Sequence, residues 1–332
     1  MVLERVLTGL AVVPFLLAAA TAPAGADGLV VLRLTDPDIV ESSGLAVVDG
    51  LFVTVNDSGD TGRVFVVDPA TGDTVGVTRW TEDPVDVEAV APAGGSSVWV
   101  GDIGDNRGAR ESITVARVPV GRTDRDADPA TYTLVHPDGA RDAESLLVEP
   151  GTGRLVVVTK TIFGAEVLEA PEQLDPDGPN ELEPVGAALP VATDGAFFPD
   201  GRHLVLRDYS RAVVYTWPDL EQVGEVRLPE QQQGEGIAVD DEGRVFVSSE
   251  GVDAPVLRVP LPADLRAQVA GVDDDPASTE DAAPTSTPTP GRGLGVDLTE
   301  VEDAQRPEWP WFLGGFLALG VLVALLRSMR PR

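Results

Sequence analysis

The sequence predicts an all-β protein, a five-bladed β-propeller with a single C-terminal transmembrane helix. Three observations carry that reading. First, one motif returns five times: a polar step, a short apolar run, a Gly-rich turn, and a second apolar run ending in polar groups. The copies begin at Glu41, Asp86, Asp142, Asp194 and Gly234, so successive starts lie 45, 56, 52 and 40 residues apart, the span of one four-stranded propeller blade. Second, short β-branched runs such as Leu51–Val55, Arg63–Val67, Arg154–Thr159 and Arg244–Ser248 are punctuated by Gly-Asp, Asp-Pro and Asp-Gly pairs. Third, helical periodicity is almost absent before residue 300. A six-bladed ring, with an extra blade hidden in the long 86–141 or 142–193 segment, is the competing expectation.

Residues 1–26 read as a secretory signal: Val6–Ala20 is apolar, and Ala24-Gly25-Ala26 is a small-residue cleavage site. Residues 27–266 form the propeller. Its last repeat supplies three clear strands, ending in Pro255–Leu261, and the isolated run Leu29–Leu34 is expected to add the fourth and close the ring. Residues 267–308 read as a disordered acidic, Pro/Thr-rich stalk, because Asp273-Asp274-Asp275-Pro276 and Pro284–Pro290 offer little apolar surface to bury. Trp309–Leu326 is free of charge and, at 1.5 Å per residue, about 27 Å long, the thickness of a bilayer core. The basic tail 327–332 would stay inside and the propeller outside, on the extracytoplasmic face of the cell membrane.

The chain has 55 acidic and 24 basic residues, a net charge of −31, and no cysteine. That charge disfavours nucleic acid and favours cations or basic partners. Without cysteine there is neither a disulfide nor a thiolate metal site. His136 and His203 have no neighbours at metal-ligand spacing, and both read as surface or structural groups.

Propeller geometry gathers the remaining polar residues. Within a blade the first two strands are antiparallel, so the start of one lies beside the end of the other. Strand-one starts carry Glu41, Asp86, Glu88, Asp142, Glu144, Asp194 and Glu235; strand-two ends carry Asp57, Asp102, Asp105, Lys160, Arg207 and Glu250. All are expected at one mouth of the central channel. Asp57, Glu88, Asp102, Asp105, Glu144 and Glu235 are the candidate metal ligands, with Ca2+ the expected cation because only oxygen donors are on offer. Lys160, the lone lysine, together with Arg207, Glu41 and Glu250, are the candidate ligand-binding residues. The competing reading is structural: Asp57-Ser58-Gly59-Asp60 and Asp102-Ile103-Gly104-Asp105-Asn106 also suit tight turns in which carboxylates tie down backbone N–H groups.

Asn56-Asp57-Ser58-Gly59, Asp86-Val87-Glu88, Gly101–Asn106, Asp142–Val148, Val158-Thr159-Lys160, Phe198–Arg207 and Gln233–Ile237 together resemble a family of exported bacterial propellers, WD40-like and similar to the esterase-like domain of phytase. The resemblance covers residues 36–252. It implies a propeller in the cell envelope and, by analogy with phytase, calcium on acidic residues at the ring mouth with basic residues on phosphate. The expected function is binding of an envelope ligand or partner protein at the acidic mouth through a divalent cation. The alternatives are a calcium-dependent phytase-like phosphoric ester hydrolase and a scaffold without a ligand.

Overall fold

Each repeat folds into a sheet whose strands pair in sequence order. The computed structural model describes residues 29–270, which belong to one unit of the chain, Gly25–Asp274. Among these residues there are five sheets, one per repeat. Blade one is β2 (Ser42–Val48), β3 (Leu51–Asn56), β4 (Arg63–Val67) and β5 (Thr74–Arg79). Blade two starts with β6 (Val87–Pro92), β7 (Ser97–Asp102) and β8 (Ile113–Pro119), and adds β10 (Ala130–Val135). Blade three is β11 (Ala143–Val148), β12 (Leu155–Thr159), β13 (Ala165–Glu169) and β15 (Glu183–Ala188). Blade four is β16 (Asp194–Phe197), β17 (His203–Arg207), β18 (Arg211–Thr216) and β19 (Gln222–Arg227). Blade five is β20 (Ile237–Val239), β21 (Val245–Val247) and β22 (Pro255–Val259), completed by β1 (Leu29–Arg33).

The six-bladed alternative fails because the extra length in the second and third repeats forms edge strands rather than a blade. β9 (Arg125–Asp126) leaves blade two and runs parallel to β5, while β14 (Pro179–Glu181) leaves blade three and runs parallel to β10. Each long segment therefore laces its blade to the preceding one.

The core lies between blades. Five apolar clusters occupy the five blade interfaces, for example Val53, Val64 and Val66 of blade one against Val90, Val98 and Val100 of blade two. Sheets packed face to face hide both faces of their strands. That is why β3 reads as an unbroken run, Leu-Phe-Val-Thr-Val-Asn, with every residue buried. Each such side chain contributes about 1.5–3 kcal/mol when buried. Outermost strands, such as β19, alternate towards solvent instead.

Closure occurs as the N-terminal run predicts. β1 pairs antiparallel with β22, and Leu32 and Leu34 join Phe246 and Val256 in a cluster with Phe52 and Phe65 of blade one. The predicted domain end at 266 is corrected. A short helix, α1 (Ala263–Val269), buries Leu265 and Val269 against blades four and five and carries folded structure past that boundary. It was missed because about two turns give too few repeats for a periodicity signal. Among the described residues no helix is long and apolar enough to cross a membrane. The expected signal at 1–26, nearly all of the stalk, the span Trp309–Leu326 and the tail 327–332 lie outside the described residues.

Candidate functional site

The innermost strands β2, β6, β11, β16 and β20 ring the central channel, and their first residues meet at one mouth. In three blades the pairing of the first two strands skips a residue there: Ser43 between Ser42 and Gly44, Glu88 between Val87 and Ala89, Glu144 between Ala143 and Ser145. A bulge re-aims the extra side chain out of the regular ladder. At these three positions it leaves buried polar groups around the channel: Ser43, Glu88 and Glu144 are each about 95% buried. Asp194 and Glu235 are the buried acids of the other two inner strands and their approach.

Glu88 is strongly perturbed by its surroundings. Burial first, then the nearby charges of Glu144, Asp57 and Asp86, push its carboxyl up to about 10, against one hydrogen bond from Ser43. The Ser43 hydroxyl donates to both the carbonyl and the carboxylate of Glu88 at 3.0 Å, linking blades one and two. One oxygen each of Asp57, Asp86 and Glu88 lie within 4.8 Å of one another. Burial and the charges of Asp57 and Asp142 raise Asp86 as well.

Local structure holds these three acids in place. Asn56, buried at the end of β3, accepts the N–H groups of Val40 and Glu41 through its side-chain oxygen, and Asp57 N–H donates to Glu41 at 3.0 Å. Gly104 lies directly against the other two. A Cβ built there would stand 2.5 Å from the Asp86 carboxylate and 2.7 Å from Glu88. The glycine of Asp102-Ile103-Gly104-Asp105 is therefore a clearance for carboxylates.

A second group adjoins the first. The Lys160 ammonium meets Glu144 at 2.5 Å and lies 5.5 Å from the centre of the Tyr209 ring. Burial opposes the charge on Lys160, yet Glu144 and Tyr209 hold it protonated above its usual value. Burial raises the Glu144 carboxyl while Lys160 opposes the rise. Glu235 is pushed up to about 7 by burial, with Lys160 and Arg207 opposing and Glu250 adding to it. Burial, Asp57 and Glu41 raise Glu250 in turn, so the acids of blades one and five also face each other across the mouth.

The ring thus brings together Glu41, Asp57, Glu88, Glu144, Lys160, Glu235 and Glu250 of the predicted residues. Three others have polar groups engaged by the fold. Asp102 accepts the N–H groups of Val85 and Asp86 at 2.9 Å and pairs with Arg110 at 2.7 Å, so its carboxylate is occupied in positioning Asp86. Asp105 closes its own turn by accepting from Ala109 and Arg110. Arg207 is fully buried, donating to the carbonyls of Asp208, Gly236 and Ser248 and tying blade four to blade five. Asp86 and Tyr209 were missed as site residues. Asp86 was legible from its place at a strand-one start; Tyr209 gave no signal, because a turn residue between β17 and β18 meets Lys160 only through the neighbouring blade.

The opposite end of the channel is different. A cavity of about 540 Å³ opens there, walled by apolar residues of all five inner strands, including Leu45, Val90, Leu147 and Phe197. Two of its acids are engaged, Asp240 by Arg244 and Glu149 by Thr152 and Trp217, while Asp241 is exposed. The buried carboxylates Glu88, Glu144 and Glu235 are gathered at the acidic end.

Fold and site together define this protein as a five-bladed β-propeller with an acidic channel mouth. No protein-family model matches the chain, and no curated protein matches it. Among solved structures, the crystal structure of a nidogen/laminin complex is similar at a TM-score of 0.38 and 15% identity, over 64% of this chain and 73% of that one. A likeness of that size says nothing about chemistry, and the propeller is defined by its own strand pairing.

Proposed function

We propose that the acidic mouth is a ligand-binding site organised by a divalent cation, with Ca2+ the fitting ion, on a propeller displayed outside the cell membrane. One observation carries the reading: Asp57, Asp86 and Glu88 converge within 4.8 Å, where burial first and then the charges of Glu144, Asp57 and Asp86 raise the Glu88 carboxyl to about 10. A dication relieves the same repulsion more effectively than one proton. The donors are oxygens from two chain segments, the turn after β3 and the start of β6, in keeping with hard cations. The envelope location rests on the apolar segments 6–20 and 309–326 and on the motif likeness to exported WD40-like, phytase-like propellers.

Calorimetric titration of the chelator-stripped chain with CaCl2 tests the site. Saturable binding with release of close to one proton, read from buffers of different ionisation heat, is expected. Absence of binding at millimolar calcium removes the cation.

Hydrolysis of a phosphoric ester is the second reading, favoured by Glu235, an acid tuned to about 7 beside Lys160. It is weakened by Arg207, which is fully buried with its Nη1 donating to the carbonyls of Gly236 and Ser248. Turnover of a phosphate-ester panel, lost in Lys160→Ala and Glu144→Gln, would reverse that order.

A further inference from the structure

Large apolar side chains exposed singly on a protein surface are ordinary. Their distribution here is not. Apart from Leu29, Val30 and Val31 on the outermost strand β1, the large exposed apolar residues among those described are Val40, Val85, Ile162, Phe163, Tyr209 and Val252. All six stand on the face of the ring that holds the acidic mouth, and every blade contributes at least one. Val40 and Val85 immediately precede the acids that open β2 and β6. Ile162 and Phe163 form the β12–β13 turn, Tyr209 sits in the β17–β18 turn, and Val252 in the β21–β22 turn. Phe163 is 94% exposed and Ile162 73%, in a turn that begins at Lys160. Gly251 N–H donates to the Val40 carbonyl at 3.0 Å, which brings the apolar tips of blades one and five together.

The turns of the opposite face are built differently. Asp49-Gly50, Gly94-Gly95, Thr152-Gly153, Asp200-Gly201 and Glu242-Gly243 are the small polar pairs expected where nothing docks. One face of the torus therefore has an acidic centre and an apolar rim, and the other has neither. Arginines of the acidic face are largely committed to carboxylates: Arg33 to Asp253, Arg63 to Asp60, Arg110 to Asp102, Arg211 to Asp208.

We propose that this face docks a polypeptide segment in which a lysine or arginine is flanked by apolar residues. The basic side chain enters the mouth towards Glu41, Glu235 and Glu250, which the cation cluster leaves free, and the flanking residues cover the rim. Charge complementarity selects this occupant. A second copy offering the same face brings acid against acid, and a lipid surface brings phosphates against it. An apolar ring that excludes water around a desolvated charge pair is the arrangement that makes such a pair count in binding. The proposal rests on the acidic mouth being a binding site, and names its partner.

A random peptide library displayed on phage, panned on the full chain in calcium, tests it, followed by fluorescence anisotropy of the recovered peptides. The recovered sequences are expected to carry a basic residue flanked by Leu, Ile, Phe or Trp. Affinity should fall about tenfold or more in Ile162→Ser/Phe163→Ser and in Glu250→Gln. The Ile162→Ser/Phe163→Ser change affects exposed turn side chains only, so its melting temperature and calcium-binding heat should match wild type. Failure to enrich peptides, recovery of peptides without a basic residue, or unchanged affinity in both variants overturns the proposal. So does phosphatidylglycerol-vesicle binding that the Ile162→Ser/Phe163→Ser change weakens, which would assign the rim to lipid. Peptide binding without any calcium binding would remove the cation alone; calcium binding without peptides would remove the docking segment alone.

Discussion

Replacing Glu88 by glutamine separates the cation site from the fold. At neutral pH and without a cation, Glu88 holds a proton, because burial and the neighbouring acids lift it to about 10. Glutamine is nearly isosteric with the protonated side chain and still receives the Ser43 hydroxyl. Folding of the wild-type chain takes up a proton, which costs about 1.4 kcal/mol for each pH unit between the unfolded value near 4.5 and neutral pH, about 3 kcal/mol in all. Glu88→Gln avoids that cost, and its melting temperature in chelator should lie within about 2 °C of wild type or above it. Calcium changes the comparison. Sites on extracellular modules bind at about 0.1–1 mM, so about 10 mM CaCl2 should stabilise wild type by about 1.4–2.7 kcal/mol. For a domain of this size that is about 3–10 °C by differential scanning fluorimetry. The variant lacks one of three anionic ligands and should shift by less than about 1 °C. A wild-type calcium shift preserved in Glu88→Gln would refute the placement of the ion. A severe loss of stability in chelator would refute the protonated state assigned to Glu88.

Further outcomes follow from the same geometry. Glu88 and Glu235 have folded-state values above those of the unfolded chain, at about 10 and about 7. A raised carboxyl contributes stability that is complete below its unfolded value near 4.5 and is lost as pH rises through the folded one. Melting temperature in chelator should therefore fall between pH 6 and pH 9, and calcium should flatten the decline; a rise over that range would contradict the assignment. Gly104→Ala drives a methyl group into Asp86 and Glu88 and should cost about 1–3 kcal/mol in denaturant unfolding while abolishing the calcium shift. Arg207→Met leaves the carbonyls of Gly236 and Ser248 without their donor and should cost about 3–5 kcal/mol, with calcium affinity of the remaining folded protein unchanged. Lost affinity at wild-type stability would return Arg207 to the site. A double-mutant cycle on Lys160→Met and Glu144→Gln should give a coupling of about 1–3 kcal/mol at neutral pH, since the contact is 2.5 Å and Glu144 is almost wholly buried.

Much of the architecture was legible in the primary structure. The five repeat starts fall at or within three residues of the five inner strands, and Leu29–Leu34 supplies the closing strand, because propeller strands buried on both faces write themselves as short unbroken apolar runs. The lengths of the second and third repeats were ambiguous. Two and three residues are too few to mark β9 and β14 as strands, and their partners lie on another blade. The gathering of acids at one mouth also followed from the repeat, since antiparallel pairing fixes which strand ends coincide.

Residue type and strand position, by themselves, determined a ring with carboxylates at one opening. Only the tertiary structure decided which carboxylates are free. Asp102 and Asp105 look the same as Asp57 in sequence, yet Arg110 and backbone N–H groups occupy them, while Asp57, Asp86 and Glu88 meet across Gly104. Arg207 likewise reads as a ligand group until the neighbouring blade closes over it. Whether a polar atom is occupied depends on which donors reach it from another blade, a distance in space that spacing along the chain does not encode.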